Sequence, residues 1–349
     1  MRIETFCPQT NWRDVVVAAR AAEVAGFDCF DSPEVAGDPF APLVLAALNT
    51  ERIGLRTAIA VAFPRSPMVV ANIAWDLQVN SGGRFTLGLG TQVKGHNERR
   101  FSVRWTAPGP RLREYVESLR AIWRCWELRE PLNYVGEHYR FTLMTPEFSP
   151  PPSGLPPVPV YIAAVRPAMM RLAGTVCDGV RLHGFCTRRY LAEVALPELE
   201  AGLARARRPR EQFEICGGGF IATGPDEATV ARNLEALRYR VAFYGSTRTY
   251  GPVLSLHGWD DLSAKLHRLS KEGRWGEMAA AVPDEVLREF TAAAPFTKLG
   301  EAIEQRFGGL SDTVEIGFPP GTPAEQVREV LQDVRRIPAR FTGYRAAWD

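Results

Sequence analysis

The chain has 349 residues, and its 42 Lys and Arg against 40 Asp and Glu leave a net charge of +2 with five neutral His. So even a balance gives no basic footprint for nucleic acid or for an anionic membrane surface. With 46% hydrophobic and 23% charged residues, disorder, collagen and coiled coil are excluded.

The predicted elements alternate from the start. A strand over 3–6 precedes a helix over 12–25, where Asn11 or Thr10 can satisfy orphan N–H groups at the N-cap. Val15, Val16, Ala19, Ala22 and Val24 give that helix an apolar stripe, and Gly26 stands at the left-handed C-cap. Strand two follows at 27–32, a helix at 39–48, strand three at 53–63, a helix at 67–80, strand four at 85–91 and a helix at 110–128. Apolar strands alternating with helices imply a parallel sheet buried on both faces. Residues 129–157 are irregular, with a hairpin-like stretch at 134–141 and a proline-rich tract behind it. A strand resumes at 160–164, so the tract is predicted to cross the surface of one domain rather than to link two. The rest reads as a helix at 167–176, a strand at 179–183, a helix at 189–206, a strand at 213–222 and a helix at 226–243. Helical pieces follow within 244–300, including 284–293, then a strand at 313–318 and a helix at 323–334. Eight strands, each followed by a helix, predict an α/β fold, a (β/α)8 TIM barrel. It spans 1–349 as one domain with insertions at about 92–110, 129–157 and 244–300.

The first twelve residues carry early charge and no apolar h-region, and no run reaches the ~18 apolar residues of a membrane span. Six scattered cysteines without a C-x-x-C pair read as reduced, mostly buried thiols, so a cytoplasmic location is expected.

Barrel chemistry belongs at the carboxyl ends of the strands. Strand two ends in Asp31-Ser32-Pro33-Glu34, strand three leads to Pro64-Arg65, and strand four to Thr91 and Gln92. Strand five leads to Val165-Arg166-Pro167 and strand six to His183. Each has a plainer role open to it: Glu34 as a helix cap, Thr91 and Gln92 as a turn, His183 as a satisfied structural residue. His138, His257 and His267 fall in the insertions and read as bystanders. Gly88-Leu89-Gly90 lacks the third glycine of a dinucleotide fingerprint, and Gly217–Gly219 reads as close packing or a bulge within a strand. No metal-binding spacing and no G-x-S-x-G elbow occurs, so neither a metal centre nor a serine hydrolase is predicted. The first turn near 166–169 combines free N–H groups, a positive dipole end and Arg166, which suits a phosphate-bearing cofactor.

Ser81-Gly82-Gly83-Arg84-Phe85-Thr86-Leu87-Gly88-Leu89-Gly90-Thr91 resembles the S-x-G-R-F-x-L-G-L-G segment of the luciferase-like monooxygenase superfamily. Residues 21–28, 57–67, 159–164, 171–174 and 177–179 agree in order and spacing, and 92–101 is similar to a subgroup usually assigned to coenzyme F420. The resemblance implies a barrel holding a deazaflavin or flavin at its mouth, with a non-proline cis peptide in strand three near Ala58, Ile59 and Ala60. It also implies cofactor contacts at Thr91 and Gln92 and phosphate contacts at Val165, Arg166 and Met169. Two departures stand out: Arg166 replaces a glycine common in the family, and Glu34 and Gln92 stand where some members carry His and Glu.

The reading that follows is an oxidoreductase moving a hydride between coenzyme F420 and a small organic substrate, with Glu34 and His183 as catalytic candidates. The alternatives are an FMN-dependent monooxygenase using oxygen and fed by a flavin reductase, and a non-catalytic subunit of a heterodimer. The resemblance implies a homodimer. Trp105, Phe185, Tyr244 and Trp259 are candidate aromatic walls, each also explicable as packing.

Overall fold

The structure, a computed structural model, describes residues 1–8 and 11–348. Eight parallel strands form its centre: β1 Arg2–Phe6, β2 Cys29–Ser32, β3 Gly54–Thr57, β4 Phe85–Gly90, β5 Val160–Ala164, β6 Gly179–Leu182, β7 Glu214–Gly217 and β8 Thr313–Glu315. A short segment, Ala60–Val61, continues β3 and pairs with the end of β4. The ring closes because β8 pairs with β1 (Arg2 opposite Thr313) while β3 pairs with β4 (Leu55 opposite Phe85). Helices cover the outside, so this is the expected (β/α)8 barrel.

Local signals explain the segments that frame the site. Asn11 Oδ1 accepts from Arg13 N at 3.0 Å at the start of the helix Trp12–Ala25, and Gly26 ends it at φ 97°; Thr10 lies outside the described residues. Arg84 ends the helix Ala41–Asn49 from outside. Its guanidinium donates to the carbonyls of Ala47 (3.2 Å), Thr50 (2.9 Å) and Ile53 (2.7 Å), placing a cation at the negative end of the helix dipole. The paired glycines of β4 have a packing role. A Cβ on Gly88 would lie 2.0 Å from the Thr57 carbonyl oxygen, and one on Gly90 would lie 2.5 Å from Ile59 Cδ1. Thr57 Oγ1 also accepts from Gly88 N and donates to Gly88 O, both at 2.8 Å.

Three expectations need correction. The strand expected over 213–222 stops at Gly217, because Gly217 (φ 76°) and Gly218 (φ 97°) turn the chain out of the barrel. It restarts as Phe220–Gly224, paired in parallel with Thr291–Pro295 in a separate two-stranded sheet. The helix expected over 284–293 therefore ends at Phe290. A short helix, Lys94–Arg99, also forms inside the loop after β4.

The strands alternate rather than running uniformly apolar. Ile3, Phe30, Leu55, Val180 and Ile215 are buried in the apolar clusters outside the ring, while Glu4, Asp31, Arg56, Arg181 and Glu214 form an ionic interior. Arg56 Nε donates to Asp31 Oδ1 at 2.9 Å and its Nη2 also reaches Glu4. Arg181 donates to Glu4 Oε1 at 2.8 Å and bonds Asp31. Below this layer Arg2 pairs with Glu214 at 2.9 Å, and the Tyr344 hydroxyl bonds the same carboxylate, so the C-terminal segment helps to close the amino end of the barrel. A cavity of about 480 Å³ opens at that amino end, lined by Arg2, Cys29, Arg84 and Tyr344 among others. It lies at the opposite end from the βα loops, and its Arg84 and Arg2 are already committed to carbonyls and Glu214. We therefore place the candidate site at the mouth.

Candidate active site

The floor of the mouth is the ionic layer. Burial pushes the Glu4 carboxyl up, but Arg181 and Arg56 outweigh it and hold it at about 2. Burial raises Asp31 to about 7, with Arg56 opposing and Glu4 adding to the rise. These groups are paired with one another and form a rigid base.

One wall is the break in β3. The peptide between Ala58 and Ile59 is cis, as the resemblance implied, and Ile59 lies against the bare backbone of Gly90. Glu34 braces this turn from β2. Its Oε2 accepts from Val61 N at 2.7 Å and from Arg65 Nη1 at 2.7 Å, and its side chain is 5% exposed. Its backbone N–H donates to the Ile59 carbonyl at 3.2 Å. The structure thus ties the Glu34 carboxylate into the scaffold beside Ala60.

After β4, Thr91 Oγ1 donates to Gln92 O at 3.1 Å, and Gln92 adopts φ 56°, with its own Oε1 accepting from Val93 N at 3.0 Å. The buried Asn97 fixes this turn by donating to Thr91 O at 2.9 Å and Val93 O at 3.1 Å. After β5, Arg166 is the N-cap of the helix Pro167–Val176 and is exposed. Among the described residues no acid pairs with its guanidinium, and no acceptor takes the N–H groups of Arg166 and Ala168. The Met169 N–H is already bonded to the Arg166 carbonyl at 3.0 Å, and the Val165 carbonyl accepts from the Tyr190 hydroxyl at 3.3 Å.

His183, at the end of β6, packs its ring 4.3 Å from that of Tyr244 and 4.8 Å from that of Tyr250. Its Nδ1 accepts from Phe185 N at 2.9 Å, which assigns the proton to Nε2. Burial, with Arg240 adding to it, lowers its pKa to about 4. It is therefore a neutral hydrogen-bond donor through the physiological range. Tyr244 and Phe185 do gather around His183, whereas Trp105 packs edge-on against Phe63 and Trp259 stacks on His257 at 4.3 Å. His257 Nε2 bonds Thr187 at 2.8 Å, and His267 Nδ1 lies 2.9 Å from the Ser246 carbonyl.

Sequence reasoning missed Glu315, Arg240 and Tyr250. Glu315 ends β8, and Arg240 projects from the helix Glu227–Gly245 with its guanidinium 5.3 Å from the Phe220 ring. Glu315 is exposed at the carboxyl end of the ring; desolvation raises its pKa to about 7, Glu4 adds to the rise, and Arg181 and Arg240 oppose it. Alternation along β8 is the signal that could have found it. Among the described residues no three His, Cys, Asp or Glu side chains group as metal ligands, and no helix is long and apolar enough to cross a membrane. All six cysteines are buried and none forms a disulfide.

A barrel with a non-proline cis peptide just after β3 has the backbone feature the resemblance implied. The chain belongs to the luciferase-like monooxygenase family, whose sequence model matches residues 1–313, and it is an oxidoreductase of that family. It is 46% identical over 319 residues to an uncharacterised protein of Mycobacterium tuberculosis, covering 91% of this chain and 94% of that one. It is 32% identical over 248 residues to an F420-dependent glucose-6-phosphate dehydrogenase of Beutenbergia cavernae, covering 67% of this chain and 69% of the relative. Among solved structures, the coenzyme F420-dependent tetrahydromethanopterin reductase of Methanopyrus kandleri superposes with a TM-score of 0.77 at 20% identity, covering 96% and 98% of the two chains.

Proposed function

We propose that this chain transfers a hydride between coenzyme F420 and a small organic substrate at the barrel mouth. The observation that carries the reading is the start of the helix Pro167–Val176. Among the described residues Arg166 there has no acid partner, and the Arg166 and Ala168 N–H groups have no acceptor. Such a donor set fits an anionic cofactor tail, since backbone N–H groups and the dipole end favour negative charge. Kinship with an F420-dependent relative supports the deazaflavin over FMN.

Bound F420 would supply a carbon centre that accepts or releases a hydride. The protein's part is to position and to shield. Ile59, set against Gly90 and flanked by Ala58 and Ala60, would back the ring, while Glu34 and Arg65 hold that turn in place. Thr91, Gln92, Val165, Arg166 and Met169 would surround the cofactor's edge and tail. His183, neutral with its proton on Nε2, would donate a hydrogen bond to substrate within the aromatic wall of Tyr244 and Tyr250. A homodimer is part of the same proposal.

Parallel binding titrations with F420 and FMN at matched salt test it. Tighter binding of F420, weakened about tenfold or more in Arg166→Ala by loss of a charge-assisted contact, is the expected outcome. Preference for FMN with oxygen consumption on reduced FMN would replace hydride transfer with monooxygenation. Binding of neither cofactor would point to a missing partner subunit.

A further inference from the structure

Alternate residues of a strand share a face. Thr313 faces the barrel interior, where its Oγ1 bonds the buried Glu214 carboxylate, so Glu315 faces the same interior at the carboxyl end of β8. Its register partner on β1 is Glu4. Both oxygens of Glu4 are taken by Arg181, with Arg56 also on Oε2, and Arg181 bonds Asp31 as well. The two interior guanidiniums are thus committed one layer below. Among the described residues Glu315 has neither an ion pair nor a hydrogen-bond partner, although it stands within the barrel and solvent reaches it through the mouth. Glu315 is exposed, so its carboxylate, turned to the inner face of the barrel, is open to a ligand entering the mouth.

Three other acids and bases near the mouth are occupied. Glu34 is held by Val61 N and Arg65, Asp31 by Arg56 and Arg181, and the Nδ1 lone pair of His183 is used by Phe185 N–H. We infer that Glu315 is the proton-exchanging residue of this site, taking a proton from the substrate heteroatom as the adjacent carbon loses its hydride and returning it in the reverse direction. The inference rests on the hydride-transfer reading above. For a hydroxyl substrate, the C–H pair leaves as hydride to the deazaflavin and the O–H bond breaks. The O–H electron pair becomes the second bond of the carbonyl, and the proton forms a new O–H bond on a Glu315 oxygen. The alcohol is oxidised by two electrons, the deazaflavin is reduced by two, and Glu315 passes its proton to water through the mouth.

The charged and titratable groups facing Glu315 are Glu4 on β1, Arg181 on β6 and Arg240 on the helix Glu227–Gly245, with the Cys216 thiol on β7 opposite Thr313. Desolvation by the surrounding wall favours a proton on Glu315, the carboxylate beneath adds to this and the two arginines oppose it, so the group changes charge near neutral pH.

The test uses Glu315→Gln and Glu315→Asp in the full chain. Infrared titration of the cofactor-free protein should show carboxylic-acid C=O absorption from Asp31 and Glu315 that disappears with midpoints near pH 7, and Glu315→Gln should lose the Glu315 share of it and keep the rest. With F420, Glu315→Gln should keep cofactor affinity within about threefold and lose about 10²-fold or more in kcat with little change in KM, as expected for loss of a general base. The acid limb of the oxidative rate profile, present in the parent because the base must be ionised, should vanish with it, and Glu315→Asp should restore part of the rate. A band that persists unchanged in Glu315→Gln, or full turnover by that variant with F420 bound, overturns this assignment alone. Failure of the parent to bind F420 overturns the hydride-transfer reading and the assignment with it.

Discussion

The packing of Ile59 onto Gly90 makes the sharpest prediction, because it can be tested by a cycle of two substitutions. A Cβ at Gly90 would sit 2.5 Å from Ile59 Cδ1 and 2.9 Å from Ile59 Cγ1, with Ala163 Cβ next at 3.7 Å. Contacts of about 3.4 Å are the ordinary lower limit, so Ile59 must retreat by about 0.9 Å or the strands must part. Overpacking of this size costs about 1–3 kcal/mol, set against about 0.5–1 kcal/mol gained when alanine replaces glycine in a strand. Gly90→Ala alone should therefore destabilise by about 1–2 kcal/mol, read as a lower urea midpoint at unchanged slope. In an Ile59→Ala background the colliding atoms are gone and the nearest remaining contact is the 3.7 Å one, so the same substitution should be neutral or mildly stabilising. The coupling between the two sites is expected at about 1–2 kcal/mol. Gly88→Ala is the control. Its Cβ meets the Thr57 backbone oxygen at 2.0 Å, which no side-chain truncation relieves, and Ile59 Cγ2 only at an ordinary 3.5 Å, so its cost should change little between the two backgrounds. An equal cost for Gly90→Ala with and without the Ile59 side chain would refute the reasoning.

Three further outcomes are expected. Glu34→Ala leaves Val61 N–H and Arg65 short of an acceptor and should lose about 1–3 kcal/mol in urea unfolding, whereas Glu34→Gln, whose amide oxygen can still serve Val61, should lose less. In turnover assays with F420, Glu34→Gln should lose more in kcat than in cofactor affinity, and unchanged turnover would remove it from the mechanism. Arg56→Met removes one of the two cations serving the buried Glu4 and Asp31, and should cost about 3–5 kcal/mol or prevent folding at 37 °C, read by thermal unfolding beside the parent. His183 has a folded pKa of about 4 against 6.5 unfolded, so the unfolded chain takes up the proton first and stability falls as pH drops from 6.5 to 4. Removing this group in His183→Gln should flatten that slope by up to about 3 kcal/mol, measured as the difference between the two urea profiles across the window.

All eight barrel strands were legible in the sequence, since each carries buried apolar residues between turn signals and barrel connections are short and regular. The errors fell where a distant partner decides. Ala292, Ala293 and Ala294 favour a helix by propensity, yet they form a strand because Phe220–Gly224 runs beside them. Two consecutive positive φ angles at Gly217 and Gly218 cut the seventh strand, and glycine spelling alone does not say whether a strand bulges or ends. At the mouth, Glu34, Thr91, Arg166 and His183 were legible as strand-end residues, and Ile59 came from the family resemblance. Their roles were not legible, because a role depends on partners far along the chain. Glu34 is a brace since Arg65 reaches it, and His183 is neutral since Tyr244 and Tyr250 bury it.

The oversight of Glu315 has a different cause, which bears on reading any barrel of this kind. A charged residue between apolar neighbours in a strand is ordinarily read as facing water. Here the polarity is inverted. Ile3, Phe30, Leu55, Val180 and Val314 turn outward to the helices, which are the larger apolar surface, and the charged residue beside each turns inward to an interior built from ion pairs. Glu4, Asp31, Arg56 and Arg181 sit low enough to pair with one another. Glu315 follows the same parity one layer higher on β8, where the ring opens into the mouth and, among the described residues, no side chain forms an ion pair with it. The property that hides it in the sequence, a charge in an apolar strand, is the property that leaves it free to act on a ligand. In such a barrel, the charged residue at the last inward position of a strand belongs with the candidate site residues rather than with the solvated surface.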